Sequence, residues 1–230
     1  MHYLLIEKIE MTNDLTSEIV KEYGLNAGAS VVGIAAAKDF GLAPEGFKPS
    51  DNLAGCLSVI VLGDTFPREV LNSTVEYTAS RNAMLKKMTA MAKEVAKRIK
   101  NGGHKVKAIS AIGGKTVNGN LYGHISLKHA AELAGLGFIS RNYLLTSPQY
   151  GNLLWFSAVL TDAELIPDKK VQRSICENCD QCVEKCPSGA LADLTLFGKK
   201  ECARFFKIVN GKLEIQCFLC RTVCPYCFGQ

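Results

Sequence analysis

Cysteine spacing near the end of the chain constrains its fold more than any other sequence feature. Residues 176–187 read C-x2-C-x2-C-x3-C-P, and residues 217–225 read C-x2-C-x3-C-P, which is the tail of the same pattern. In the second run the missing first cysteine falls at Glu214, and the isolated Cys202 can take its place. Repeated runs of this form bind two 4Fe–4S clusters, and the fourth cysteine of a run binds the other run's cluster.

This pattern predicts two sets of four ligands. We expect one cluster to bind Cys176, Cys179, Cys182 and Cys224, and the other to bind Cys186, Cys202, Cys217 and Cys220. Zinc is the poorer alternative, because four cysteines at offsets of 3, 3 and 4 residues are too crowded for one tetrahedron. A disulfide framework requires an oxidising compartment, and the sequence carries no sign of export.

Two cysteines lie outside these sets. Cys56 begins an apolar run and is expected in the core, because cysteine is among the most buried residue types. Cys227 follows Cys224 by three residues and is interpreted as a spare thiol, with replacement of a predicted ligand as the alternative.

Length and composition favour one medium domain followed by a small one. With 230 residues, of which 47% are hydrophobic, the chain can fill a real core. We place a cofactor-binding domain at residues 1–164 and the cluster domain at residues 165–230. No apolar run reaches the roughly 18 residues of a membrane span, and residues 1–8 lack the features of a signal peptide. A cytoplasmic location is therefore expected.

The formal charge indicates no particular partner. Two clusters, each with four thiolates, contribute about −2 apiece. They reduce the formal charge of +5 to about +1.

Hydrophobic periodicity before residue 165 alternates between helix and strand, which is typical of an α/β (α+β) domain. Helices are predicted at 14–27, 75–100 and 126–134, and strands at 30–35, 56–62, 106–109, 143–146 and 153–161. Glycine and proline mark loops between several of these elements. Gly114-Lys115-Thr116 lacks the upstream glycine of a P-loop, and Gly135-x-Gly137 lacks the third glycine of a dinucleotide site.

One segment carries a family resemblance when it is taken together with the cysteine pattern. Residues 126–145 read SLKHAAELAGLGFISRNYLL, and residues 151–161 form a glycine-led apolar strand. These features resemble the epoxyqueuosine reductase family, which has an Ala-Gly-Leu-Gly-Trp-Ile-Gly-Lys core, then such a strand, then two clusters. The resemblance covers residues 75–227 and, more loosely, the first 70.

The resemblance implies a cobalamin-dependent iron–sulfur reductase, distantly related to reductive dehalogenases. Its fold would be a nitroreductase-like corrinoid-binding domain followed by a bacterial-ferredoxin-like domain whose two clusters pass electrons to cobalt. By resemblance, Tyr77 and Asn82 are candidate catalytic residues. The candidate cofactor-binding residues are Lys128, Gly137, Arg141 and Asn142. In the alternative interpretation, Lys128 and Arg141 are surface charges and Gly137 only permits a turn.

Three departures from the family pattern shape the functional prediction. The family's Arg-Asp-Tyr-His stretch is Arg81-Asn82-Ala83-Met84 here, and an amide cannot deliver a proton as a carboxylic acid can. Ser140-Arg141 replaces the usual Gly-Lys. The sequence stops at Gln230 without the helical-repeat extension of the tRNA-modifying enzymes, so short relatives described as ferredoxin-type or reductase-like match it better. This last departure argues against a tRNA partner.

The leading prediction is a reductase or electron-transfer protein that passes electrons through two clusters to base-off cobalamin. Its expected partners are a low-potential electron donor of ferredoxin or flavodoxin type and a small-molecule or corrinoid substrate. The main alternative is an electron carrier without a corrinoid that serves a partner enzyme, and a tRNA epoxyqueuosine reductase ranks below both. A flavin is the alternative to the corrinoid cofactor.

Overall fold

The computed structural model describes residues 15–117, 120–172, 176, 178–193 and 198–229. The helices and strands, in chain order, are α1 (Ser17–Asn26), β1 (Val31–Ala36), α2 (Pro49–Asn52), β2 (Ser58–Thr65), α3 (Thr74–Asn101), β3 (Val106–Ile109), β4 (Lys115–Val117), β5 (Asn120–Tyr122), α4 (Leu127–Leu133), β6 (Phe138–Ile139), β7 (Leu145–Thr146), β8 (Leu154–Thr161), α5 (Gln181–Glu184), α6 (Lys199–Ala203), β9 (Phe206–Val209), β10 (Lys212–Ile215) and α7 (Leu219–Thr222). Short 3₁₀ turns lie at Ala37–Phe40 and Arg68–Asn72.

A four-stranded antiparallel sheet in the order β1-β2-β8-β3 forms the centre of the fold. Side chains alternate between its two faces, so Ile60 and Leu62 of β2 join one apolar core while Val59 and Val61 join the other. Helices α1 and α3 cover the first face, and α4 covers the second. The sheet is therefore the middle layer of a mixed α/β fold.

Helix α3 is the longest element and lies against the first face. Ser73 caps its start, because the Ser73 hydroxyl accepts a hydrogen bond from the backbone N–H of Glu76 at 3.3 Å. Its apolar stripe includes Met88, Val95 and Ile99, which are fully buried. Gly102 and Gly103 follow its last turn, and Gly103 has a φ of +90°.

The segment that carries the clustered cysteines packs against the α/β domain rather than standing apart from it. Ile215, Phe218, Cys224 and Cys227 all contact the apolar core beneath α3. A second link is a hydrogen bond at 3.0 Å, in which the backbone N–H of Ile215 donates to the Thr78 hydroxyl. The start of α3 is therefore in direct contact with the cysteine-bearing segment.

The structure confirms the predicted helices and strands of the α/β domain, within a few residues at each end. The predicted helix at 75–100 is α3, and the predicted strand at 153–161 is β8. The start of the first predicted helix, at Asp14, lies outside the described residues, as do residues 1–8. Cys56 is 8% exposed in the core of the second face, which confirms its predicted burial.

The sequence analysis missed two complete hairpins, as well as strand β6, which pairs with β7. Strands β4 and β5 pair within the glycine-rich stretch, and β9 and β10 pair between Cys202 and Cys217. Across the described part of the chain, no helix is both long and apolar enough to cross a membrane.

Candidate functional site

Four thiols surround a cavity at the junction of the cysteine-bearing segment and the α/β domain. This first thiol group consists of Cys176, Cys179, Cys182 and Cys224. Ser140 and Asn142 of the α/β domain also line the cavity, whose volume is about 20 Å³. Burial, followed by the neighbouring thiols of Cys224, Cys176 and Cys179, raises the pKa of Cys182 to about 11. The four thiols are thus close enough to repel one another as thiolates.

The other four predicted ligands form a second thiol group, Cys186, Cys202, Cys217 and Cys220. Burial, followed by the thiols of Cys217 and Cys186, raises the pKa of Cys202. Burial also raises the pKa of Cys220 to about 11, against the opposing effect of Arg221, and Cys202, Cys217 and Cys182 add to the increase. Because Cys220 interacts with Cys182, the two groups are neighbours.

This donor set fits two iron–sulfur clusters. No three histidine, cysteine, aspartate or glutamate side chains among the described residues converge closely enough to hold a single metal ion. The four members of the first thiol group instead line one shared cavity, as the four ligands of a single cluster must. Raised thiol pKa values mean that grouped thiolates are costly unless bound iron neutralises them. The grouping agrees with the ligand sets predicted from the spacing, and the ligand assignment itself remains a prediction.

Arg221 joins the cysteine-bearing segment to the sheet and to α3. It follows Cys220 directly and is 5% exposed. Its Nε donates to the Tyr77 hydroxyl at 3.0 Å, and its Nη1 donates to the backbone carbonyl of Asn152. The Asn152 amide in turn donates to the backbone carbonyl of Arg221 at 3.3 Å. These contacts hold α7 in place, which carries Cys220 of the second thiol group and precedes Cys224 of the first.

Of the predicted cofactor-binding residues, Asn142 alone lines the first cavity. Its amide is buried and donates to the backbone carbonyl of Cys220 at 2.8 Å. The Arg141 guanidinium pairs with the carboxylate of Asp180, which immediately precedes α5. Both residues therefore contact the cysteine-bearing segment.

Lys128 and Gly137 lie close to this contact region. The Lys128 ammonium donates to the backbone carbonyl of Tyr143, and burial, followed by the Arg221 charge, lowers the pKa of Lys128. At Gly137 an added Cβ would lie 2.3 Å from the backbone oxygen of Thr146, so this position tolerates only glycine. The close approach of the backbone to β7 gives Gly137 a packing role, and its cofactor role remains a prediction.

The two candidate catalytic residues have different surroundings. Tyr77 is 4% exposed, with its ring centroid 4.5 Å from that of Phe218 and 5.5 Å from that of Phe66. Asn82 is exposed on α3, and its carbonyl oxygen accepts a hydrogen bond from Arg81 at 3.0 Å. Tyr77 is therefore enclosed by aromatic rings and Arg221, whereas Asn82 is open to a solute.

Sequence reasoning missed Arg221 and Asn152, and it treated Cys227 only as a spare thiol. Cys227 is 2% exposed, and its Sγ lies 3.7 Å from the side-chain amide oxygen of Asn152. Burial raises the pKa of Cys227 to about 11. The available signal for Arg221 was an arginine directly after a predicted ligand, because arginine is seldom fully buried unless it is paired.

The fold is shared with epoxyqueuosine reductases and reductive dehalogenases. A structure of epoxyqueuosine reductase with a tRNA-Tyr epoxyqueuosine-modified stem loop matches with a TM-score of 0.65 at 19% identity, covering 91% of this chain and 64% of that one. A reductive dehalogenase structure described in terms of B12-dependent dehalogenation matches with a TM-score of 0.59 at 19% identity, covering 91% of this chain and 29% of that one. No protein-family model matches the chain.

Sequence relatives point to one of these two groups. The epoxyqueuosine reductase of Bacillus subtilis (strain 168) is 30% identical over 119 residues, which are 47% of this chain and 31% of that protein. The epoxyqueuosine reductase of Synechococcus sp. (strain RCC307) is 33% identical over 105 residues, or 42% of this chain and 33% of that protein. The matched segment thus spans about a third of each relative, and the resemblance to epoxyqueuosine reductases is confirmed.

These comparisons overturn two predictions. The ranking that placed a cobalamin-reducing protein or an electron carrier above a tRNA epoxyqueuosine reductase is wrong, because the curated relatives are epoxyqueuosine reductases. The argument against a tRNA partner is also wrong, since a structural neighbour contains a tRNA stem loop. That argument relied on the sequence stopping at Gln230, whereas the likeness to the tRNA-bound reductase extends over 91% of this chain.

Proposed function

We propose that the chain is an iron–sulfur reductase that acts on an epoxide of a tRNA nucleoside, the reaction for which its sequence relatives are named. The observation that carries this proposal is the position of the two thiol groups against residues 140–142, within the segment that resembles those reductases. Electrons held on the clusters would enter the α/β domain at this contact.

The proposed cofactors are two 4Fe–4S clusters and a corrinoid. The B12-dependent chemistry of a reductive dehalogenase with this fold supports the corrinoid, as does a cluster cavity open to Asn142. A corrinoid would supply a strongly reducing cobalt centre for opening the epoxide. The corrinoid would be held beside the clusters by Lys128, Arg141 and Asn142. Gly137 would let the backbone approach the corrinoid.

We also keep the two-domain division, with a corrinoid-binding domain of nitroreductase type at residues 1–164 and a ferredoxin-like domain at residues 165–230. Contacts across the division support a fixed relation between the domains. Asn142, Thr78 and Tyr77 each form a hydrogen bond with the cysteine-bearing segment.

Proton supply is the step at which this chain would differ from the family pattern, because Asn82 replaces a carboxylic acid. Reduction of an epoxide takes up two electrons and two protons, and an amide at Asn82 cannot provide either proton. Asn82 is exposed on α3, so water can reach its position. We therefore expect water to deliver both protons, with Asn82 orienting the epoxide oxygen as a hydrogen-bond donor.

The test is conversion of the modified nucleoside in a cell that lacks its own epoxyqueuosine reductase. Total tRNA from cells that express the chain would be digested and its nucleosides quantified by mass spectrometry. We expect loss of epoxyqueuosine with the unaltered chain and its accumulation with Cys182→Ser. Accumulation with an unaltered chain that carries a full iron load would contradict the proposal.

A further inference from the structure

Arg221 is a buried cation whose described partners are all uncharged. They are the Tyr77 hydroxyl and the backbone carbonyl of Asn152, and the ring of Phe66 lies 5.9 Å from the guanidinium. Among the described ion pairs, none includes Arg221. Burial of a charge is costly unless an opposite charge compensates it. A guanidinium in this position therefore calls for an anion that the protein side chains do not provide.

A second cation, Lys128, lies near Arg221. The Lys128 pKa is lowered by burial and then by the Arg221 charge, so the two cations are close enough to repel each other. Arg221 itself directly follows Cys220 in α7, so the second thiol group with bound iron is the anion that the proposed cofactors place next to it in the chain.

We propose that Arg221 is the internal counter-charge of the cluster bound by the second thiol group and stabilises its reduced, more negative state. An added electron increases the negative charge of the cluster, and a cation fixed nearby in a poorly solvated place favours that form. The result is a higher reduction potential than the same four thiolates would give alone. The inference rests on the clusters of the proposed function and is independent of the substrate.

Tyr77 acts on the same cluster through Arg221. Its hydroxyl accepts from Nε, and its ring is held between Phe66 and Phe218. This arrangement leaves the guanidinium one orientation beside Cys220. Tyr77 is therefore a positioning residue for the counter-charge.

The experiment is an anaerobic redox titration of the reconstituted full chain, followed by EPR. It compares the unaltered chain with Arg221→Gln, which removes the charge but keeps a donor, and with Arg221→Lys, which keeps the charge. Arg204→Gln is the matched control, since Arg204 is an exposed arginine two residues after Cys202. We expect the Gln variant at position 221 to lower the potential of one cluster by about 59 mV, a tenfold change in its reduction equilibrium. The other two variants should remain close to the unaltered chain.

The other possible results of the titration also decide whether Arg221 is a counter-charge. Equal potentials in Arg221→Gln and the unaltered chain, with about eight irons bound, would overturn the proposal. So would an equal shift in Arg221→Lys, because the charge would then not be the cause. If Arg221→Gln fails to hold iron while Arg221→Lys holds it, the charge is needed for the cluster; failure of both variants would instead indicate a packing role. The redox titration contains no tRNA, so its result does not depend on the outcome of the nucleoside assay.

Discussion

Asn82 lies where a carboxylic acid is implied by the resemblance, and its surroundings show what an acid would meet there. The side chain is exposed, and its carbonyl oxygen already accepts from the Arg81 guanidinium at 3.0 Å. The same guanidinium lies 5.6 Å from the ring of Trp155, which fixes the direction from which it donates. An aspartate at position 82 would therefore be held in one orientation by an arginine that is already in place.

The substitution Asn82→Asp is expected to increase the rate of epoxide reduction by about 10-fold at pH 6, because a carboxyl group can deliver a proton. Arg81 favours the charged carboxylate, so the acid form and the gain in rate should both diminish as the pH rises to 8. Single-turnover rates with a modified stem loop would measure this. Asn82→Ala is the control, and an equal rate in the Asp and Ala variants would contradict the expectation.

Cys227 tests the ligand assignment at the same scale. The thiol is buried beside Asn152 and lies outside both thiol groups, so Cys227→Ser should retain about eight irons per chain. Cys182→Ser removes a member of the first thiol group and should leave about four. Iron analysis and EPR of the reconstituted proteins distinguish the two cases. A loss of half the iron in the Cys227 variant would show that it is a ligand.

At the scale of elements, predictability followed the length of the apolar pattern. Helix α3 has a buried stripe from Tyr77 to Ile99, and β8 is a mostly apolar strand of eight residues, so both were evident from the sequence. Strands β9 and β10 were missed although Asn210-Gly211, with φ values of 50° and 73°, is a recognisable hairpin turn. Their side chains are mostly exposed, so the alternation carried no clear apolar face.

The candidate site was likewise predictable from the sequence only in part. Cysteine spacing indicated both thiol groups, because cluster ligands are set by local geometry in the chain. The Arg221–Tyr77 contact joins residues 144 positions apart and depends on the docking of two elements. Spacing along the sequence contains no information about such a pair, and only the folded arrangement of α3 against α7 brings it together.

Gly151 provides a test of the docking between elements. Its φ is +59°, and an added Cβ would lie 2.1 Å from the backbone oxygen of Cys227. Gly151→Ala should therefore destabilise the fold by about 1–3 kcal/mol for the backbone strain and by more for the displaced turn. Gly28 is the matched control, since its φ is +94° but nothing lies within 4 Å of the added Cβ. Equal losses in denaturant unfolding of the two variants would show that the contact contributes nothing.

For the whole molecule, the decisive feature is one apolar core shared by the α/β domain and the cysteine-bearing segment. Phe66, Tyr77 and Cys227 are buried in this core, and the ring of Phe218 packs on that of Tyr77. The opposite face of the sheet is covered by α4, and the described residues of its apolar core all belong to the α/β domain. The cysteine-bearing segment thus contributes to the described apolar core of the first face and not to that of the second.

Removal of the clusters should therefore destabilise the molecule unevenly. After anaerobic chelation we expect a lower Tm and rapid proteolysis within residues 198–229, because this segment then loses the bonds to iron that hold its thiols together. Residues of the sheet and α4 should remain protected for longer. Limited proteolysis with mass spectrometry would locate the cuts. Identical fragment patterns before and after chelation would contradict a structural role for the clusters.

The shared core also has a consequence for the life of the protein in a cell. A chain made from its amino end completes α3 and the sheet before Phe218 and Cys227 leave the ribosome. Until they arrive, the ring of Tyr77 lacks the cover of Phe218, and exposed apolar surface of this kind attracts chaperones and proteases. Because the clusters are expected to hold the cysteine-bearing segment in place, iron supply would then determine how much of this protein survives synthesis, in addition to how much of it is active.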